Sequence, residues 1–250
     1  MVRQEIAQSR DHDPDFAWRT TDVLRIENLS DIVFALALGI LVSASSAIQT
    51  FDDLTGYLVS IIPIAAGFAM LVSIWNDHFL FFRRYALADG VIITLNTALL
   101  LLILYIAYPL RFVFDSLFGF ILFQAGQAER IAEMQVGYRE SGIILGFFAA
   151  GYGVIYLVVA MMYGRVLKLA GELGLTAKER VQTRRVMRHH LVKVLLSGAV
   201  FGGAVLTGLN GFAGFALFLI WPGVALVDKL TPLPREEAAP KETAGGAVSP

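Results

Sequence analysis

Ionisable side chains lie at the ends of three strongly apolar segments of this chain, where burial makes charge costly. Arg25 and Asp31 open the first segment, His78 closes the second and Asp89 opens the third. A carboxylate beside an imidazole could transfer protons, and a ring of carboxylates could attract cations. The same groups could instead pair with one another, because a charge at membrane depth is tolerated mainly when it has a partner. We expect a structural network that also shapes the mouth of an ion path, with His78 able to titrate near neutral pH.

An uncharged stretch follows Asp31 and carries a regular stripe. A helix over 29–48 would be about 30 Å long, which is enough to cross the hydrocarbon core of a bilayer. Leu36, Ile40 and Ser43 follow one another at intervals of four and three residues, so they share one face of that helix. A charged end followed by a narrow apolar face is compatible with a pore-lining helix. We expect this stripe to narrow the pore.

The composition indicates that membrane-spanning helices hold these residues. The chain has 250 residues, of which 56% are hydrophobic and 16% charged, and this balance indicates an all-α integral membrane protein. The lack of cysteine excludes thiol catalysis and cysteine-ligated metals. We predict one six-span domain over 25–230, after a cytoplasmic segment 1–24 and before a disordered cytoplasmic tail 231–250. The predicted spans are 29–48, 55–76, 89–110, 142–163, 191–209 and 211–228.

The basic residues predict the orientation of the spans. If both termini are cytoplasmic, the 20 Lys and Arg residues all lie inside except Arg111, Arg130 and Arg139. The basic loop at about 164–190 then reflects topology and contact with anionic lipid rather than binding of nucleic acid. Residues 112–123 are apolar but too short to span comfortably. We therefore expect an interfacial or re-entrant piece there, within an outer insertion at about 111–141.

Residues in the first three predicted spans repeat a recognisable pattern. The first span has an Arg, a Ser-Asp pair and then small and branched residues; the second ends in Trp-x-x-His; the third begins with Asp and later carries Asn and Pro. The residues that carry this pattern are Arg25, Leu29, Ser30, Asp31, Val33, Ala35, Ala37, Gly39, Ile40, Leu41, Trp75, His78, Asp89, Asn96 and Pro109. The pattern resembles the bacterial members of the transmembrane-protein-175 family, potassium channels whose animal relatives work in endosomes and lysosomes.

The resemblance implies a passive potassium channel in the lipid bilayer of a bacterial plasma membrane. Such a protein would be a homotetramer of six-span subunits, would pass monovalent cations and would need no cofactor beyond the permeant potassium ion. Its first helix would line the central pore, with a hydrophobic gate that includes Leu36, Ile40 and the layer at Ser43. The polar network at the inner mouth would comprise Arg25, Ser30, Asp31, Trp75, His78, Asp89 and Asn96.

Two positions depart from the family pattern. Gly39 stands where the family has Thr, and Ser43 stands where it usually has a large apolar residue. A ring of hydroxyl groups that could coordinate a partly dehydrated ion is therefore missing at position 39. These departures predict a shorter hydrophobic constriction and weaker potassium selectivity than in members with Thr.

Two other functions remain compatible with the same residues. A secondary transporter would show internal repeats and helices interrupted near the membrane midplane, and we find no convincing repeat among the six spans. A membrane-embedded enzyme would use His78 as a general base together with Asp31 or Asp89. No second membrane histidine lies at metal-ligand spacing from His78. We therefore predict a channel and not an enzyme.

Overall fold

The computed structural model describes residues 16, 18–19, 23–43, 49–126, 134 and 136–233. Within these residues the regular structure is entirely helical. The α-helices, numbered here in chain order, are α1 Arg25–Ser43, α2 Phe51–Val59, α3 Ile61–Tyr85, α4 Gly90–Gln124, α5 Tyr138–Lys168, α6 Ala177–Phe201 and α7 Ile220–Leu230. A π-helical turn, Gly202–Leu206, and a 3-10 helix, Asn210–Leu219, connect α6 to α7. In the described part of the chain, six helical segments are long and apolar enough to cross a membrane, which confirms the predicted number of spans.

The segment predicted as one span at 55–76 is instead two helices that meet at Ser60. Thr50 and Asp53 form a capping box that starts the short helix α2, because each side chain accepts a hydrogen bond from the other residue's backbone N–H. The longer helix α3 follows and continues nine residues past the predicted end, to Tyr85. Its last turns carry buried aromatic side chains between their polar residues, so packing extends the helix beyond the purely apolar sequence.

Helix α4 overturns the prediction for residues 112–123. These residues form neither a separate interfacial piece nor a re-entrant one, because α4 runs without a break from Gly90 to Gln124 and includes Pro109. Its 35 residues correspond to about 52 Å, so the helix is longer than a bilayer core is thick. Asp115 does not interrupt it, since its carboxylate pairs with Arg111 one turn earlier at 3.4 Å. The predicted outer insertion at 111–141 therefore begins as helix, and its residues 127–133 and 135 lie outside the described part.

The last two spans also differ from their predicted bounds. Helix α6 begins at Ala177, well before residue 191, because Thr176 and Glu179 form a capping box. Much of the predicted basic loop is therefore helical. The chain turns within the predicted fifth span 191–209, before its end: Gly208 has φ 73° and the Leu209 N–H donates to the carbonyl of Gly203.

The helices pack as two groups. Helices α1, α3 and α4 contact one another, whereas α5 and α6 form the most extensive pair and carry the 3-10 helix and α7. The contact between α4 and α5 is the main junction between the groups. Two ion pairs also join the groups, from Arg165 of α5 to Asp89 before α4 at 2.7 Å and from Lys193 of α6 to Asp77 of α3 at 3.2 Å. Among the described helices, the pore-helix candidate α1 therefore rests on α3 and α4, and it has no packing contact with α5–α7.

Candidate functional site

Helix α1 has one face that the rest of the subunit covers. Glu27, Ser30, Phe34, Ala37 and Leu41 are buried, and they recur every three or four residues. This is the spacing of a single helical stripe. The stripe packs on α3 and α4. The buried face of α1 is therefore fully accounted for within one subunit.

The opposite face of α1 is uncovered and mostly apolar. Leu29, Ile32 and Leu36 are 55%, 66% and 54% exposed, and Gly39 and Ser43 continue the same exposed line. A Cβ atom built at Gly39 would meet no described atom of the subunit within 4 Å. Leu36, Gly39 and Ser43, all predicted for the constriction, lie on this face.

Ile40, the remaining residue predicted for the constriction, lies at the edge of the uncovered face. Its side chain is half-buried and packs in part against the core of the subunit. The continuous exposed line therefore runs through Leu36, Gly39 and Ser43, with Ile40 beside it. The sequence spacing of four and three residues is compatible with either line, and only the burial distinguishes them.

A chain of hydrogen bonds locks the covered face of α1 to α3 and α4. The Asn96 amide Nδ2 donates to Ser30 Oγ at 3.0 Å, and Ser30 Oγ donates to the Ile26 carbonyl at 2.8 Å. The Asn96 amide oxygen lies 2.9 Å from His78 Nε2. Because an amide oxygen only accepts, His78 donates from Nε2. Ser30, His78 and Asn96 are at most 1% exposed, so this chain is sealed from solvent.

The surroundings of His78 explain why it is structural. Its ring lies between Phe34, at a centroid distance of 5.7 Å, and Phe82, at 4.8 Å. Its hydrogen-bond partner is Asn96, and its Nδ1 atom has no such partner among the described residues. No carboxylate in the described part of the chain bonds the imidazole to form the acid–base pair that the sequence allowed. The site of His78 is therefore a packing site that joins three helices.

Asp31 and Trp75 form a second link between α1 and α3. The indole Nε1 of Trp75 donates to Asp31 Oδ1 at 2.8 Å, and Asp31 is exposed. Arg25 is also exposed, and it forms no hydrogen bond or ion pair with the residues that the structure describes. The predicted network of Arg25 with the carboxylates and the imidazole of the inner mouth is therefore absent from these residues. Both charges remain available at the N-terminal end of the uncovered face.

Asp89 does not join this network. Its carboxylate caps α4 by accepting the Ile92 N–H at 2.9 Å, and it accepts from Arg165 in the last turn of α5. The hydrogen bond from the Ile92 N–H, together with the nearby Arg165 guanidinium, lowers the pKa of Asp89 below its ordinary value. An N-cap side chain is directed at the start of its own helix, which explains why Asp89 serves the junction with α5 instead of the mouth of the path.

Sequence reasoning missed a buried acidic residue in α1. Glu27 is 1% exposed and pairs with Arg83 near the end of α3 at 3.3 Å. The available signal was its spacing of three residues from Ser30, which places both on one helical face. Within the described part of the chain, no group of three or more His, Cys, Asp or Glu side chains could hold a metal ion. The polar groups around α1 therefore position the helix and charge one of its ends.

Comparisons with known proteins agree with one another. Residues 25–106, which include α1, α3 and the first half of α4, match a sequence model of the family described as endosomal/lysosomal potassium channel TMEM175. A protein of Marivirga tractuosa named "Potassium channel" is 30% identical over 233 residues, covering 87% of this chain and 91% of that protein. The crystal structure of a variant of the potassium channel MtTMEM175, in complex with a nanobody–MBP fusion protein, superposes with a TM-score of 0.77 and 29% identity. That match covers 88% of this chain and 97% of the other.

The buried hydrogen-bond chain predicts a loss of stability when Asn96 is replaced. Asn96→Ala leaves the His78 donor and the Ser30 oxygen buried without the amide that both contact, which should cost about 2 kcal/mol or more. Thermal unfolding of the detergent-solubilised protein should show a clearly lower Tm. Thr97→Ala is the matched control, because the Thr97 hydroxyl is exposed and bonds the Ile93 carbonyl of its own helix. Equal Tm values for the two variants would contradict a stabilising role for Asn96.

Proposed function

Because this chain belongs to the endosomal/lysosomal potassium channel TMEM175 family and is a potassium channel, we propose that its ions pass along the uncovered face of α1. The family assignment rests on a relative matched over most of both chains, and it also establishes that the protein is not an enzyme. One observation carries the proposal for the path. The covered face of α1 is locked inside the subunit, whereas the opposite face is left open over the whole helix.

The spacing of the open face is compatible with several copies of α1 around one axis. Its exposed residues alternate at intervals of four and three: Arg25, Leu29, Ile32, Leu36, Gly39 and Ser43. That alternation averages about 3.5 residues and is the pattern of helices that meet along a common axis. The covered stripe of α1 has the same spacing, and the open face differs from it in carrying exposed charge at one end, which a surface directed into lipid tolerates only at a high cost. We therefore propose a homotetramer in which four α1 helices surround the pore.

Charge at one end of the face supports an aqueous path. Arg25 and Asp31 are exposed on the uncovered side of α1, and a charge directed into lipid would be costly. In a tetramer these residues would instead face water or a neighbouring subunit at the pore entrance. Four Asp31 carboxylates would raise the local concentration of cations and repel anions.

The apolar residues beyond that entrance would act as the gate. Rings of Leu29, Ile32 and Leu36 side chains would leave little room for hydrated ions and would favour expulsion of water when closed. Gly39 would widen the path just after Leu36, and Ser43 would place hydroxyl groups at the last turn of the helix. The narrow apolar section would thus end at Leu36, with Ile40 supporting it from the edge.

We also propose that both termini face the cytoplasm, in a bacterial plasma membrane. In that orientation the 20 Lys and Arg residues gather on the inner side, apart from Arg111, Arg130 and Arg139. The N-terminal end of α1, with Arg25 and Asp31, is then the inner mouth. The end at Ser43 is the outer mouth.

No feature in the described part of the chain favours the alternative of a secondary transporter. The helix interruption at Gly202–Leu206 lies between α6 and the 3-10 helix, and it has no packing contact with α1. Transporters place interrupted helices at the substrate site. The alternative of an enzyme is excluded by the family, and the burial of His78 among aromatic rings gives the physical reason.

The gate predicts that Leu36→Ala raises ion flow. Removing the isobutyl group widens the narrowest ring and makes expulsion of water less favourable, so the unitary conductance in planar bilayers should at least double. Leu195→Ala is the control, since Leu195 is an exposed leucine on α6, a helix without packing contact with α1. An unchanged conductance for Leu36→Ala would show that Leu36 does not line the narrow section.

Gly39 predicts weak discrimination between potassium and sodium. Without a hydroxyl ring at this level, the reversal potential in mixed potassium and sodium solutions should lie nearer to zero than that of a strongly selective channel. Gly39→Thr should raise the potassium preference several-fold, and the open space at Gly39 admits the new side chain within the subunit. Gly39→Ala is the control because it adds bulk without a hydroxyl group. Strong potassium selectivity of the unmodified protein would refute this prediction.

A further inference from the structure

We propose that Arg111 is a positioning residue that holds the outer end of α1 and so sets the width of the pore at the Ser43 layer. This inference rests on the proposed path along α1. Arg111 lies on α4, and the sequence identifies it only as one of the basic residues on the outer side. The guanidinium group of Arg111 is the place where three separate segments meet.

The contacts of Arg111 point in three directions. Nη1 donates to the carbonyl of Val42 in the last turn of α1 at 3.2 Å, and Nη2 donates to Ser60 Oγ at the junction of α2 and α3 at 3.1 Å. Nε lies 3.4 Å from Asp115 Oδ2. Tyr57 lies beneath the guanidinium, with its ring centroid 6.0 Å away. Arg111 therefore links α1, the α2–α3 junction and α4 through one rigid, planar group.

The environment shows why an arginine occupies this position. Arg111 is only 7% exposed, and a buried cation needs compensation. Asp115 supplies a negative charge, and the carbonyl oxygen of Val42 supplies a partial negative charge. Ser60 is already oriented, because its hydroxyl donates to the Tyr57 carbonyl at 2.7 Å and so offers a lone pair to Arg111. A planar fork with five donors can satisfy all of these directions at once, and an ammonium group cannot.

The carbonyl that accepts from Arg111 belongs to Val42, next to the Ser43 layer of the pore. Val42 precedes Ser43, which ends α1 and closes the exposed line of the path. A donor from outside a helix can fix the position of a helix carbonyl that accepts from it. Near the other end of α1, the hydrogen bond from Asn96 Nδ2 to Ser30 Oγ also holds the helix in position. Helix α4 thus holds α1 near both ends, through Asn96 and Arg111.

Leu41 also packs near this end, but its contact is not directional. A Cβ built at Gly67 would lie 3.2 Å from Leu41 Cδ1, which shows close packing of α1 on α3. Packing of this kind resists separation of the helices and allows small rotations and slides. The hydrogen bond from Arg111 to Val42 adds the missing directional restraint. Without it, the Ser43 layer should become wider and more mobile.

The experiment compares Arg111→Gln and Arg111→Lys in single-channel recordings from planar bilayers. If Arg111 positions α1, both variants lose the fork and both should raise the permeability of methylammonium relative to potassium by about threefold, equivalent to about 0.7 kcal/mol. Ser60→Ala, a milder change that removes only one acceptor of the fork, should shift the ratio in the same direction by less. Ser116→Ala is the matched control, because this buried α4 hydroxyl bonds the Phe112 carbonyl of its own helix.

Three outcomes would overturn the inference. If Arg111→Lys behaves as the unmodified protein while Arg111→Gln changes the ratio, the residue acts by its charge alone. If the variants lower the Tm but leave the permeability ratio unchanged, the residue only stabilises the fold. The Arg111 variants could fail to assemble, and Ser60→Ala then provides the test. If its permeability ratio equals that of Ser116→Ala, the guanidinium fork does not control the pore. An unchanged conductance of Leu36→Ala would instead show that Leu36 does not line the narrow section, which is a failure of the proposed gate and not of the restraint by Arg111.

Discussion

The structure depends on one constraint: α1 is held firmly on a single face and left uncovered on the other. Burial of Ser30, His78 and Asn96 excludes water from their hydrogen bonds, so each bond must be made inside the subunit or its free energy is lost. That requirement fixes the rotation of α1 about its own axis. Once the rotation is fixed, the residues that face outward are fixed too, and they form the line from Leu29 to Ser43.

The remaining helices can be understood as support for this arrangement. Helix α4 contacts α1 near both ends, through Asn96 and Arg111, and Asp89 ties the start of α4 to Arg165 of α5. Helices α5–α7 pack behind α4 and present large apolar side chains, such as Leu195 and Trp221, on the outside of the subunit. Such surfaces suit contact with lipid. The polar groups therefore lie inside the subunit and along the proposed path, and the apolar side chains on the outside contact the bilayer.

Local sequence patterns predicted the helices and which of their faces are exposed. They did not predict contacts between residues that are far apart in the chain. Six apolar segments, the proximity of Asn96 to polar groups of other helices and the exposed positions of Leu36 and Ser43 all follow from hydropathy and helical spacing. The partner of Asp89 did not follow, because Arg165 lies 76 residues away and either end of the pair could have served elsewhere. The continuity of α4 did not follow either, because residues 112–123 are too short to span when they are taken alone, and the pairing of Asp115 with Arg111 is seen only in the structure.

If the uncovered face of α1 lines the ion path, a cysteine scan along this helix will separate its two faces. The chain contains no cysteine, so single replacements along α1 can be modified by a charged, water-soluble thiol reagent while current is recorded. Current should change on modification at Leu29, Ile32, Leu36, Gly39 and Ser43, and it should stay constant at Phe34, Ala37 and Leu41. Reaction at the second set, or none at the first in conducting channels, would show that ions pass along another surface.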